Sequence, residues 1–228
     1  MKKHLIEIHA HTDESSNCGK MPAEQVVETY RSKGYSGIMI TDHLHHYTFK
    51  RKLLVENPNA TWDDKIDYFL RGYKLALKKA EEYDDFKVYL GAELRFDEND
   101  NDYLIFGLSE KLLRSLKDLY TLEYEDGLTL LREKGCTIIQ AHPFRNNCTV
   151  IDPKLLDGIE IHNAHPNHDS RNDIAVIWAD KYDFKIRTGG TDFHGDVPPL
   201  SGIYVDKIPE NEKELQNLII NCDFEIKM

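Results

Sequence analysis

Short apolar runs alternate with longer amphipathic stretches along almost the whole chain, and this rhythm restricts the folds open to it. The strand-like runs begin with LIEIHAH from Leu5, GIMITDH (Gly37 to His43), KVYLGAEL (Lys87 to Leu94) and DYLIFGL (Asp102 to Leu108). CTIIQAH (Cys136 to His142), GIEIHN (Gly158 to Asn163), KIRTGGTDFH (Lys185 to His194) and GIYVD (Gly202 to Asp206) follow. Helical patterns lie between them. PAEQVVETYRSKG has Pro22 at a first turn and Gly34 as a stop. WDDKIDYFLRGYKLALKKAEEY from Trp62 is long and amphipathic, and shorter helices start near Glu110, Glu123, Ser170 and Glu210. Strand–helix alternation predicts a parallel α/β fold. Seven or eight strands in a chain of 228 residues suggest a barrel, with an open doubly wound sheet as the alternative. His45 to Thr61 is polar and irregular and reads as a flexible loop over the site. With no repeat or Gly/Pro/Ser-rich linker, residues 1–228 are expected to form a single domain.

The strand ends carry the chemistry. His9 and His11 are two apart, so on a strand they point to one side. GIMITDH ends in Asp42 and His43, KVYLGAEL near Glu93, and CTIIQAH at His142; Asp192 and His194 are again two apart. In a parallel barrel all strand C-termini share one face, where active sites are built. His9, His11, His43, Glu93, His142, Asp192 and His194 are therefore expected to converge there. Imidazole mixed with carboxylate suits zinc, manganese or iron. Seven ligands exceed one tetrahedral ion, which implies at least two, with Glu93 or Asp192 able to bridge. A lone HxH is more often a hydrogen-bonded structural pair; the ordered set across unrelated strands is what favours metal. His4, His45, His46, His162, His165 and His168 lack comparable placement and are read as structural, although His162 follows Glu160 on a strand and could reach the site.

Composition narrows the partners. The formal net charge of -11 argues against non-specific nucleic-acid binding, which depends on Lys and Arg contacts to phosphates. Cys18, Cys136, Cys148 and Cys222 are irregularly spaced, as in a reduced cytosolic protein. The opening MKKHLIEIHA is broken by Glu7 and His9 and does not read as a signal peptide. No apolar run approaches a membrane span. The expected location is the cytoplasm, and the number of subunits is open.

Taken in order, HAHT, TDH, GAE, AHP, IEIHN and TDFH resemble the motifs of the polymerase and histidinol phosphatase (PHP) superfamily. The likeness runs from His9 to His194. It implies a distorted (β/α)7 barrel, a site of two or three divalent ions at the strand C-termini, and phosphoester hydrolysis. By the same resemblance His9, His11, Glu93 and Asp192 would hold one ion, Glu93 and His142 a second, and His43 and His194 a third. Two family histidines are missing. Asn17 stands six residues after the HxH, and DYLIFGL offers only Asp102 and Leu108. Glu14 or Asp102 could substitute as oxygen ligands.

The expected reaction is hydrolysis of a small phosphorylated metabolite or nucleotide, a monoester in preference to a diester, by a metal-activated hydroxide. His194 or His43, where not ligated, could protonate the leaving group. Arg145 in AHPFR is placed to bind phosphate, and Asn163 to orient ligand or substrate. RTGGTD has no Walker lysine; Gly189 and Gly190 read as letting the backbone turn near the metals. One alternative is a metal-stabilised binding or regulatory protein without turnover. Another, amidohydrolase-like cleavage of a C–N bond, is disfavoured because no Lys stands at a strand end among the ligands.

Overall fold

The structure, a computed structural model, describes residues 3–195 and 200–228. In chain order β1 (His4–Ala10) leads to α1 (Ala23–Ser32), β2 (Tyr35–Ile40) and a short β3 (His43–Leu44). The helices α2 (His46–Lys50), α3 (Leu53–Glu56), α4 (Trp62–Phe69) and α5 (Arg71–Ala80) precede β4 (Lys87–Leu90), β5 (Ala92–Arg95) and β6 (Asp102–Phe106). Then come α6 (Glu110–Ser115), α7 (Tyr124–Glu133), β7 (Thr137–Gln140), β8 (Gly158–Asn163) and α8 (Asn172–Lys181). The chain closes with β9 (Ile186–Gly190), β10 (Gly202–Val205), α9 (Glu212–Asn221) and β11 (Glu225–Lys227).

The result is a mixed α/β fold with two sheets. One has the order β11-β10-β1-β2-β4, the other β3-β5-β6-β7-β8-β9. They meet where two predicted strands are interrupted. GIMITDH breaks at Thr41–Asp42 and KVYLGAEL at Gly91, and Gly91 N–H to Ile40 O (3.0 Å) and Glu93 N–H to Asp42 O (3.1 Å) carry the pairing across. At the other side Ala10 bridges Phe193 in parallel. These pairings do not establish a closed (β/α)7 barrel. Nor is the fold wholly parallel: β5–β6, β6–β7 and β1–β10 are antiparallel. The connection between β5 and β6 is too short for a crossover helix, which leaves an antiparallel return as the only geometry.

Local sequence explains the helices. In α1, Ala23, Val26, Val27 and Tyr30 follow i, i+3, i+4, i+7 and are all buried against Leu5, Ile38 and Phe193. Burying each valine there is worth about 1.5–3 kcal/mol. Thr61 starts α4 through a capping box with Asp64. The long pattern from Trp62 divides into α4 and α5, because Ser15 Oγ donates to the carbonyls of Tyr68 (3.2 Å) and Phe69 (2.9 Å) at the break. The expected loop His45–Thr61 instead carries α2 and α3, anchored by fully buried Phe49. Among the described residues no helix is long and apolar enough to cross a membrane.

Candidate metal centre

The site is assembled from strand ends tied by buried polar residues. Asp42 does not face the cluster. Its Oδ1 accepts Thr12 N–H and Ser16 Oγ–H, and its Oδ2 accepts Thr12 Oγ1–H, each at 2.7 Å, binding the turn after β1 to the end of β2. Glu7, fully buried on β1 two residues before His9, uses Oε1 to accept the N–H groups of Ile8 (2.9 Å), His9 (2.8 Å) and Thr191 (3.1 Å). Gly190 is required beside it. A Cβ there would stand 2.5 Å from His9 Cβ.

His9, His11, Glu93 and Asp192 converge, all buried. His9 Nε2 lies 3.1 Å from Glu93 Oε1 and 3.4 Å from Asp192 Oδ1. His11 Nε2 lies 3.3 Å from both Glu93 Oε2 and Asp192 Oδ1. His43 Nδ1 approaches Glu93 Oε2 to 3.0 Å, and His142 Nε2 approaches Glu93 Oε1 to 3.0 Å. The His194 ring stands 4.4 Å from the His11 ring. All seven residues expected at the centre are thus gathered around one carboxylate, Glu93, and its neighbours.

This donor set fits divalent cations. His9 Nε2, His11 Nε2, His43 Nδ1, Glu93 Oε2 and Asp192 Oδ1 are buried without a hydrogen-bond partner, a state proteins rarely leave unresolved. Among the described residues, donor atoms lie within 4.8 Å of one another in three overlapping groups: His9, His11, Glu93, Asp192; His11, His43, His194; and His43, Glu93, Asp102. The first is the ligand set the sequence resemblance implied. Borderline nitrogen and hard oxygen donors together suit zinc, manganese or iron.

The titration of these groups follows their crowding. Burial alone would depress the His9 imidazole, but Glu160, Asp192 and Glu93 overcome it and raise it well above its ordinary value. His11 falls well below, through burial and the facing His194 and His43. Burial would raise Glu93 and Asp192; facing imidazoles, His9 foremost, instead hold both well below the usual carboxylate range.

Other expected residues fare differently. Asp102 reaches the cluster because β6 runs antiparallel, so its first residue, not its last, lies at the site. His142 Nε2 is 3.7 Å from Asp102 Oδ2, which also pairs with Arg95. Leu108 is buried in the core. Glu14 is not brought in; its carboxylate receives the N–H of Ala23 at the start of α1. Asn17 lies beside the site but donates to Tyr47 O at 2.6 Å. Arg145 Nη2 contacts Asp192 Oδ2 (2.7 Å), Asn163 Oδ1 (2.9 Å) and Ser170 Oγ (3.1 Å), and its Nε is buried without a partner. Asn163 Nδ2 donates to Glu160 Oε2 at 3.0 Å.

Sequence reasoning passed over several neighbours. His45 and His165, read as structural, lie with ring centres 5.1 Å from His43 and His194 respectively. Cys18 stands beside His43 and His194. Loss of solvent disfavours its thiolate, yet the two imidazoles bring the thiol down to about 6. Glu160 is buried against His9. The alternation in GIEIHN pairs it with His162, but a register shift between them sends only Glu160 inward. Beside His43 a cavity of about 300 Å³ is lined by Asn17, Cys18, His45, Tyr47, Arg51 and Arg95.

A profile of the PHP domain matches residues 7–219. The chain belongs to the PHP domain family. Solved structures agree on the fold. A two-domain protein from Bacteroides vulgatus, containing a predicted PHP-like metal-dependent phosphoesterase, is 16% identical with TM-score 0.72; all of this PHP chain aligns, over 65% of that chain. The chain thus spans about two thirds of that relative. A protein from Bifidobacterium adolescentis, provisionally named a metal-dependent phosphoesterase, is 16% identical (TM-score 0.54, 96% of each chain). An amidohydrolase from Chromobacterium violaceum, with bound sulfate and no metal, is 13% identical (TM-score 0.52, 97% of each chain). No curated protein matches this PHP chain.

Proposed function

We propose that this PHP protein is a metal-dependent hydrolase of small phosphate esters, with monoesters preferred to diesters. One observation carries the reading. Unpartnered, buried donor atoms of His9, His11, Glu93 and Asp192 point at one another beside a cavity edged by Arg51 and Arg95. In this reading those four residues hold one divalent ion, Glu93 and His142 a second, and His43 and His194 a third, with Asp102 as a further oxygen donor. Zinc, manganese or iron bound there would lower the pKa of water from about 16 toward 7 and neutralise phosphoryl charge.

The chain's own residues do the rest. Arg145 holds Asp192 Oδ2, which leaves Oδ1 facing His9 and His11, and its guanidinium, whose Nε has no partner in the chain, would turn to substrate phosphate once substrate opens the site. Asn163 keeps Arg145 in place through Oδ1. His43 and His194, the least buried imidazoles of the set, deliver a proton to the leaving oxygen when they are not ligating. The two sheets act as one interrupted, distorted barrel in a single domain working in the cytoplasm.

The names of the structural neighbours support hydrolysis. The side chain of Asn17, turned toward Tyr47 at the position of a family histidine, favours the second reading, a metal-stabilised binding protein without turnover. Protein purified without chelators would be assayed with manganese, zinc or iron against phosphomonoesters, phosphodiesters and amides. Phosphate release with bound metal is the expected result. Metal uptake and a ligand-induced melting shift, with no release under any metal, would replace the hydrolase by the binding protein.

A further inference from the structure

Glu160 on β8 is buried, and its two oxygens serve different parts of the candidate centre. Oε1 lies 2.9 Å from His9 Nδ1. Oε2 accepts the backbone N–H of His142 at 2.8 Å and Asn163 Nδ2–H at 3.0 Å. Asn163 Nδ2 is also 3.3 Å from Asp192 Oδ2. One carboxylate therefore touches β1, the turn after β7 and, through Asn163, the turn after β9.

Two consequences follow from hydrogen-bond chemistry. An ionised carboxylate only accepts, so His9 must present N–H at Nδ1. In the neutral ring the Nε2 lone pair then faces Glu93 and Asp192, which is the tautomer a cation needs. His142 has φ +26°, a conformation a non-glycine residue holds only when its surroundings impose it. The bond from its N–H to Glu160 Oε2 is one such restraint. With both restraints in place, His9 Nε2 and His142 Nε2 meet the same atom, Glu93 Oε1, at 3.1 and 3.0 Å.

We infer that Glu160 is a positioning residue of the metal centre: it fixes the His9 tautomer and pins the His142 peptide, so that an imidazole of β1 and one from the turn after β7 address the same carboxylate, Glu93. The inference rests on the metal-centre reading above, and goes beyond it by assigning a role to a residue whose two oxygens are both taken up by protein groups.

Glu160→Gln tests it, because an amide has nearly the same shape but one donating end. If its oxygen stays on His9, its NH2 opposes the His142 N–H; if it turns over, His9 must flip to Nε2–H, which blocks coordination. Cobalt or zinc binding should weaken roughly 10–100-fold, as for other outer partners of metal-ligating histidines. In zinc-loaded protein, long-range ¹H–¹⁵N spectra should show Nδ1–H at His9 in the wild type; the Glu160→Gln protein should either lose that signal or keep it with a weakened zinc affinity. Glu160→Asp keeps the charge and should retain Nδ1–H at His9 with a smaller loss of affinity. If Glu160→Gln does not fold, the aspartate variant decides alone by the same two readouts. Unchanged affinity and tautomer in a folded Glu160→Gln protein would overturn the inference. So would equal losses in both variants, or a wild-type chain that takes up neither cobalt nor zinc. These readouts need no substrate, so a protein that binds metal but releases no phosphate refutes the hydrolase and leaves this test intact.

Discussion

His142 Nε2 lies 3.0 Å from Glu93 Oε1, although 49 residues separate them in sequence. Glu93 Oε2 faces His11 at 3.3 Å and His43 at 3.0 Å. A single carboxylate thus stands between imidazoles from separate segments of the chain.

Replacing Glu93 by Gln keeps the volume but removes the charge and one acceptor. Binding of divalent metal should weaken by more than the roughly 10–100-fold that loss of an outer partner costs. Phosphate release should disappear with it. Elemental analysis of Glu93→Gln beside the wild type gives the answer, and a full metal complement in the variant would contradict the bridging position. His142→Ala should likewise lower metal content and abolish activity, with little change in fold.

Arg145→Ala should separate substrate handling from metal binding. A charge-assisted hydrogen bond is worth about 1.5–3 kcal/mol, or roughly 10–150-fold in kcat/KM. Steady-state kinetics at saturating metal should show a raised KM or a lowered kcat, while metal affinity falls by no more than the roughly 10–100-fold that loss of an outer partner costs. Kinetics identical to the wild type would place the substrate pocket elsewhere.

Glu7 makes stability depend on pH. Burial raises its carboxyl from 4.5 to about 7, only partly offset by hydrogen bonds from Thr191 and His9. The folded state therefore binds the proton more tightly than the unfolded chain. The proton's contribution is fully present below about 4.5 and is lost as pH rises through 7, a change on the order of 3 kcal/mol. Glu7→Gln can keep the oxygen that accepts three N–H groups and no longer ionises. In urea unfolding of chelator-treated protein, the variant should gain on the wild type between pH 5 and pH 8. A difference that does not vary with pH would show that Glu7 is not the titrating group.

Gly190→Ala should damage the centre from behind. The added methyl would meet His9 Cβ at 2.5 Å and Glu7 Oε1 at 3.1 Å. Overpacking of this kind costs about 1–3 kcal/mol, and here the atoms that must yield carry a candidate ligand. Thermal melts should show a lower midpoint and titration with zinc a weaker affinity. Wild-type values for both would mean that β9 can shift away from His9 without consequence.

Much of this protein is written locally. Alternating apolar runs mark the strands, i, i+3, i+4 spacing marks α1, and the residues at strand ends name the candidate ligands from His9 to His194, because each depends on near neighbours in the chain. Strand direction and register are different, since they are set by pairing between distant segments. Only the antiparallel run of β6 brings Asp102, and not the far end of that strand, to the cluster. Only the register shift in β8 turns Glu160 inward and leaves His162 aside. Glu14 is consumed at the start of α1, and Arg145 is drawn onto Asp192, by partners that no local pattern reveals. The amino-acid order decided which side chains could hold a cation; the long-range pairing of strands decided which of them stand together.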